Sequence, residues 1–381
     1  MPEVLLLCEY ATTSGGERSM LATLEGVRSA GFCPAVAGPP EGPLARELDA
    51  RGVEVVPFVF RDSAGHRLPQ PRLREELARL LARRRPDLLH ANSLSMGRLS
   101  GPVAAERPPL GGGARLSSLA HLRDILRLSA RGVADLNRHT RLLAVSAATR
   151  DFHVAAGLAA EKTHVLYNGV DLDAFRPRPK SGYLHRELGL PPELKLVGTI
   201  GQICLRKGQD VLVEAAASLA DKLLNVHYVI VGQRWSDKLE SRHFEAKLRT
   251  AAAGKLAGRL HFLGFRNDVD RILNELCMLV HPARQEPLGR VLLEAAASGL
   301  AVVATDVGGT AEIFPPRSQS ARLVPADDPD AMAAAILELA GNEPLRASLA
   351  ATARRRAQET FAAERAAAGL VDHYRQVMTK G

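Results

Sequence analysis

Two carboxylates stand eight positions apart in Glu286-Pro287-Leu288-Gly289-Arg290-Val291-Leu292-Leu293-Glu294, just behind the apolar run Met278–Val280. Pro287 and Gly289 suit a helix entrance. Glu286 then lies in the loop before the helix and Glu294 about two turns, roughly 10 Å, along it. Carboxylates accept charge-assisted hydrogen bonds from sugar hydroxyls, and amides near Leu288, Gly289 and Arg290 at a helix start suit a diphosphate between them. With 42 acids in the chain, about five such pairs arise by chance, so the position after a strand carries the meaning. A second loop, Gly201 to Gly208, ends in Arg206-Lys207-Gly208. Lys207 there can neutralise phosphate as a point charge and Arg206 can add fork-like bonds; a solvent-facing basic pair is the plainer reading. Gly15 and Gly16, before a helix, let backbone approach an anion, although a tight turn explains them equally well. Gly308-Gly309 with Glu312 repeats that pattern. The dinucleotide fingerprint G-x-G-x-x-G does not follow the first strand, which weighs against an NAD-type site.

These loops need a scaffold that aims them one way. Short continuous apolar runs alternate with periodic stretches: Val4–Cys8 then a helix to Ala30, Ala35–Ala37, Val53–Phe58, Leu88–His90 and Leu142–Val145 in the first half. The second half offers Leu196–Gly201, Val226–Val231, Leu260–Leu263, Met278–Val280, Ala301–Ala304 and Leu323–Val324. Such runs are buried parallel strands, and repeated βα units predict an α/β chain with two tandem Rossmann-like parallel-sheet domains. Ligands then bind beyond the carboxyl ends of the strands. The expected boundaries are 1–175, a Pro-rich linker at 176–193, 194–360, and a last helix at 361–381. A helix is expected over Leu122–Leu136 and a loop over Arg107–Gly113.

Composition narrows the classes. A chain of 381 residues, 46% hydrophobic and 24% charged, is globular rather than disordered, collagen-like or coiled-coil. No apolar run reaches the roughly 18 residues of a membrane span, and Met-Pro-Glu leads into Val4–Cys8 without a basic segment, so a cytoplasmic protein is expected. Cys8, Cys33, Cys204 and Cys277 lack metal-ligand spacing. The net charge of +8 is concentrated: residues 61–150 hold 17 Arg against 7 acids. That stretch reads as solvated helix faces or as a peripheral contact with an anionic membrane. Nucleic acid is disfavoured, because no aromatics interleave with the arginines to stack bases.

Taken in order, Gly15-Gly16-Glu17, Asn168-Gly169-Val170-Asp171, Lys207-Gly208, the Glu286/Glu294 pair and Gly308-Gly309 with Glu312 resemble the retaining nucleotide-sugar glycosyltransferases of family 4. The likeness runs from Val4 to about Phe361. It implies the B-type glycosyltransferase (GT-B) fold, two Rossmann-like domains facing a cleft, with the last helix crossing back to the first domain. It also implies roles. Glu286 would contact donor-sugar hydroxyls near the reacting carbon and Glu294 would hold the ribose. Lys207, with Arg206, would stabilise the leaving diphosphate, cradled by the backbone at Leu288, Gly289, Arg290 and Val291. Gly264 and Phe265 would lie against the base. His121 resembles the family's histidine at the sugar site, and Gly15 and Gly16 would approach phosphate and acceptor. Where the family often has Arg, this chain has Gln202, and Glu286-Pro287-Leu288-Gly289 replaces the common Glu-Gly-Phe-Gly. The implied donor is a nucleotide sugar and the acceptor a sugar, a lipid-linked or a small-molecule hydroxyl. No cofactor is implied and metal is not required; Asp171-Leu172-Asp173 mimics a metal-binding D-x-D beside the linker. A catalytically degenerate scaffold homologue and a same-fold epimerase are the alternatives.

Overall fold

The computed structural model describes residues 1–106 and 116–379; the loop expected at Arg107–Gly113 lies outside them. The described residues divide into two compact units, Met1–Gly169 with Ala363–Gly381 and Val170–Ala362.

The first unit is a seven-stranded parallel sheet: β1 (Glu3–Leu7), β2 (Cys33–Gly38), β3 (Glu54–Pro57), β4 (Leu88–Ala91), β5 (Ser117–Leu122), β6 (Arg141–Ala144) and β7 (Thr163–Val165), ordered β3-β2-β1-β4-β5-β6-β7. Its strands are near-continuous apolar runs because both faces are covered. Alternate side chains serve opposite cores. Leu5, Leu7, Leu89 and Ala91 meet Leu73, Leu77 and Leu81 of the helix Gln70–Arg84. Val4, Leu6, Leu88, Leu119 and Leu143 meet Met20 and Leu24 of the helix Gly15–Ser29, together with Leu370, Val371, Tyr374 and Val377 of the helix Ala363–Met378. That last helix packs close, since a Cβ on Gly26 would lie 2.6 Å from Ala367 Cβ. Burial of its large apolar side chains is worth about 1.5–3 kcal/mol each.

The second unit is a six-stranded parallel sheet: β8 (Lys195–Ile200), β9 (Val226–Val231), β10 (Leu260–Gly264), β11 (Met278–His281), β12 (Val302–Thr305) and β13 (Arg322–Val324), ordered β10-β9-β8-β11-β12-β13. In both sheets the order reverses at one place, between β1 and β4 and between β8 and β11. Such switch points open a crevice at the carboxyl ends of the strands.

Three details differ from the sequence expectation. Residues 117–122 form a central strand, and the helix expected over Leu122–Leu136 is shorter, Ala130–Asn137, started by Ser129, whose hydroxyl accepts the Gly132 amide at 3.2 Å. Ser117-Ser118-Leu119-Ala120-His121-Leu122 lacks a continuous apolar run because its polar groups are paired by distant residues. Ser117 donates to the Val377 carbonyl at 2.9 Å, and His121 bonds His90. The segment expected as a linker belongs to the second unit. The Arg178 amide donates to Asn274 Oδ1 (2.7 Å), and the Ser181 and Gly182 amides donate to the two Glu275 oxygens (2.8 and 3.0 Å). The unit boundaries fall instead at Gly169/Val170 and Ala362/Ala363. Val170 and Ala362 pair as a parallel bridge, and a Cβ on Gly169 would meet Ala363 Cα at 2.6 Å. Close approach of the two chain segments therefore requires the glycine. No helix among the described residues is long and apolar enough to cross a membrane.

Candidate active site

The loops after β8 and β11, on either side of the switch point in the second unit, are clasped together. The Arg284 amide donates to the Arg206 carbonyl at 2.9 Å and Arg206 Nη1 to the Gln285 carbonyl at 3.3 Å. Gly208 makes this possible: its φ is 64°, and a Cβ there would lie 1.9 Å from the Pro282 carbonyl oxygen. The clasp brings Lys207 Nζ into contact with Glu286 Oε2, while His281 Nε2 lies 2.7 Å from that same oxygen. Glu286 is only 5% exposed. Burial by itself would raise its carboxyl, but the Lys207 cation and the His281 N–H outweigh it, holding the group well below the usual carboxylate range. Burial and the Lys207 charge push His281 down, so it stands neutral and donates. Glu286 is thus an ionised acceptor fixed from two sides.

Behind it, Gly289 (φ 85°) starts the helix Arg290–Ala297, where a Cβ would crowd Leu292 Cδ1 at 2.7 Å and Glu286 Cγ at 3.2 Å. Leu288 is buried. Glu294, one turn into the helix, accepts from Arg290 Nη2 at 2.7 Å. The Gly309 amide donates to the Glu286 carbonyl at 2.9 Å, tying the Gly308-Gly309 turn to the same loop. Gly264 (φ 66°), at the end of β10, accepts the Gly232 amide at 2.7 Å. Phe265 follows it, 46% exposed, edge-on to Trp235 (55% exposed) with ring centroids 5.8 Å apart. Asp171 Oδ1 accepts the amides of Asp173 and Ala174, each at 2.9 Å, and so closes a local turn.

In the first unit, Gly15 and Gly16 open the helix after β1. A Cβ on Gly16 would lie 3.2 Å from Arg123 Cδ. Arg123 follows β5 and reaches the Asn92 carbonyl (3.0 Å), Asn92 Oδ1 (2.8 Å) and Asn168 Oδ1 (2.8 Å). His121 is buried; its Nδ1 lies 2.8 Å from His90 Nε2 and 3.2 Å from Arg123 Nη2. Burial first, then the Arg123 charge, keep it neutral. Together with Ser19, Thr23, Asn92 and Asn168 it lines a small pocket.

The sequence-derived residues thus form two sets. Lys207, Arg206, Glu286, Leu288, Gly289, Arg290 and Glu294 gather at the β8/β11 switch point, with Gly264 and Phe265 at the carboxyl edge of the same sheet. Gly15, Gly16 and His121 gather in the first unit. Sequence reasoning passed over His281, His90, Asn92, Arg123 and Trp235. His281 had one available signal: it is the last residue of a strand at the switch point, where side chains face the crevice.

Comparisons with known proteins bear on the family and the fold. A family model described as Glycosyltransferase Family 4 matches residues 13–174, and one described as Glycosyl transferases group 1 matches residues 194–342. A lipopolysaccharide core biosynthesis mannosyltransferase of Rhizobium meliloti is 32% identical over 269 residues, 68% of this chain and 75% of its own. A phosphatidyl-myo-inositol mannosyltransferase of Mycolicibacterium smegmatis is 30% identical over 369 residues, 92% of this chain and 88% of its own. The crystal structure of Anabaena HepE in complex with UDP and glucose superposes with a TM-score of 0.83 over 98% of this chain and 99% of that one, at 23% identity. With both halves matched and two relatives sharing most of their length with it, the chain belongs to the family 4 glycosyltransferases of GT-B fold.

Proposed function

We propose that the protein moves a sugar, with retention of anomeric configuration, from a nucleoside-diphosphate sugar to an acceptor hydroxyl. The Lys207–Glu286–His281 cluster at the β8/β11 switch point carries this reading. In the reaction the bond from the anomeric carbon to the diphosphate oxygen breaks and a bond to the acceptor oxygen forms. Negative charge grows on the leaving diphosphate, and a lysine cation beside a helix start is the arrangement that stabilises it. Glu286, ionised and held from both sides, suits accepting from sugar hydroxyls and orienting the ring. With Oε2 engaged by Lys207 and His281, it is poorly placed to act as a nucleophile. Attack from the face the diphosphate leaves, with the acceptor proton passing to a diphosphate oxygen, balances the step and retains configuration. Glu294 would take ribose hydroxyls, Gly264 and Phe265 the base. The two mannosyltransferase relatives make GDP-mannose the donor to try first; the HepE complex makes UDP-glucose the second.

The test is calorimetric titration with UDP, GDP and ADP, with EDTA and then with Mg²⁺, followed by turnover of the matching sugar nucleotides. Binding of one nucleotide without metal and its abolished transfer in Glu286→Ala are the expected results. Unchanged turnover in Glu286→Ala would overturn the site assignment, and binding without any turnover would favour a nucleotide-sugar-binding scaffold.

A further inference from the structure

The hydrogen-bond chain that starts on the last helix has only one proton arrangement. Tyr374 Oη lies 2.6 Å from His90 Nδ1, and His90 Nε2 lies 2.8 Å from His121 Nδ1. Arg123 Nη2 approaches that same His121 nitrogen to 3.2 Å. A guanidinium donates and never accepts, so His121 Nδ1 must be an acceptor, and the ring's one proton stands on Nε2. His90 Nε2 is then the donor, His90 Nδ1 an acceptor, and the Tyr374 hydroxyl the donor that closes the chain. Any other assignment sets two hydrogens or two lone pairs against each other across a buried contact, which low-dielectric surroundings make costly. Neutrality holds throughout: burial, then the Arg123 charge, bring His90 down to about 3 and His121 well below its ordinary value, while burial pushes Tyr374 up.

The fold fixes these contacts. His90 on β4 is in register with Leu119 on β5, so His121, two residues on, stands on the same face as His90. The helix Ala363–Met378 covers that face and brings Tyr374 down onto it, wedged edge-on between His90 and Phe32. His121 Nε2 meets no hydrogen-bond partner among the described residues, and its ring lines the small pocket.

We propose that Arg123 is a positioning residue that locks His121 in its Nε2–H tautomer, with His90 and Tyr374 completing the chain, so that His121 offers substrate a fixed hydrogen-bond donor and cannot act as a base. The proposal rests on reading that pocket as part of the sugar site. Its test is a two-bond ¹⁵N–¹H correlation spectrum of histidine-labelled, substrate-free protein, with the His121 signals assigned by their loss in His121→Gln. The expected pattern is protonation at Nε2 alone, constant between pH 6 and 8. Arg123→Gln removes the donor that cannot accept, so the His121 signals should move toward a mixture of tautomers, and kcat should fall about tenfold with nucleotide affinity nearly unchanged, as expected for one lost hydrogen bond. Tyr374→Phe and His90→Gln leave the Arg123 guanidinium facing Nδ1 and should keep the wild-type pattern. A His121 protonated at Nδ1 in the unaltered protein, which decides even if Arg123→Gln does not fold, or a pattern indifferent to Arg123→Gln, overturns the lock. Because the spectra need no substrate, a failure to find any sugar transfer would defeat the proposed function and leave this measurement standing.

Discussion

Lys207, Glu286 and His281 form a contact in which no member is independent. The side chains of Lys207 and Glu286 are 15% and 7% exposed, and removing one partner of such a pair leaves the other charge uncompensated, at about 3–5 kcal/mol. Lost transfer in a single variant therefore mixes chemistry with stability, whereas Lys207→Met combined with Glu286→Gln removes both charges. That double variant also isolates a pH effect. The folded Glu286 carboxyl sits below its unfolded value, so the unfolded chain binds the proton first. The pair's stabilisation is complete above about pH 4.3, the ordinary glutamate value, and drains away as pH falls further toward the folded value. Urea midpoints measured from pH 7 to pH 2.5 should drop less steeply below pH 4.3 in the double variant than in the wild type. Parallel curves would show that Glu286 is not held as described.

At the scale of elements, the loop after β8 depends on a glycine that no other residue replaces. Gly208 combines a left-handed φ of 64° with a Pro282 carbonyl 1.9 Å from where a Cβ would stand. Gly208→Ala should destabilise the second unit by about 1–3 kcal/mol or more and displace Lys207. The check is a thermal melt alongside transfer rates; a variant as stable and active as the wild type would show the clasp to be dispensable. Elements of this kind were legible where the sequence carried their cause locally. Val226–Val231 and Met278–Val280 are unbroken apolar runs, and the glycines stand at the ends of such runs. Ser117–Leu122 was not legible, because what makes it a strand is a set of partners remote in sequence: Val377 for Ser117, Thr140 for Ser118 and His90 for His121. The same holds for the site. Lys207 and Glu286 could be proposed from their places after two strands, but that they touch depends on β8 and β11 being neighbours. His90 and Arg123 declare nothing until β4, β5 and the last helix are assembled. Residues 176–193 misled in the opposite direction: their prolines exclude a strand, yet Asp270, Asn274 and Glu275 hold them to the second unit.

Across the whole molecule, charge and chain path each modify a simple reading. Two arginines of the basic stretch are paired with acids that lie outside it: Arg67 meets Glu9, and Arg84 meets Glu3 and Glu54. Its net charge therefore overstates what it presents outward. The last helix belongs to the unit that the first residues begin, and it supplies Leu370, Val371, Tyr374 and Val377 to that unit's core. Ending the chain at Ala362 should uncover this face. The shortened protein is expected to bind a hydrophobic dye such as ANS strongly and to melt its first unit at a lower temperature, while nucleotide binding by the second unit survives. A shortened chain with wild-type melting and no dye binding would mean the helix is an ornament.

The double crossing at Gly169/Val170 and Ala362/Ala363 also sets a schedule for biosynthesis. A ribosome that has finished Gly169 must still make everything from Val170 through Ala362 before the covering helix emerges. At the usual 5–20 residues per second, the nascent first sheet waits on the order of 10–40 s with Val4, Leu6 and Leu88 exposed on one face. Nascent chains of this protein should therefore be held by chaperones at the first half, and released only once the final helix has left the exit tunnel.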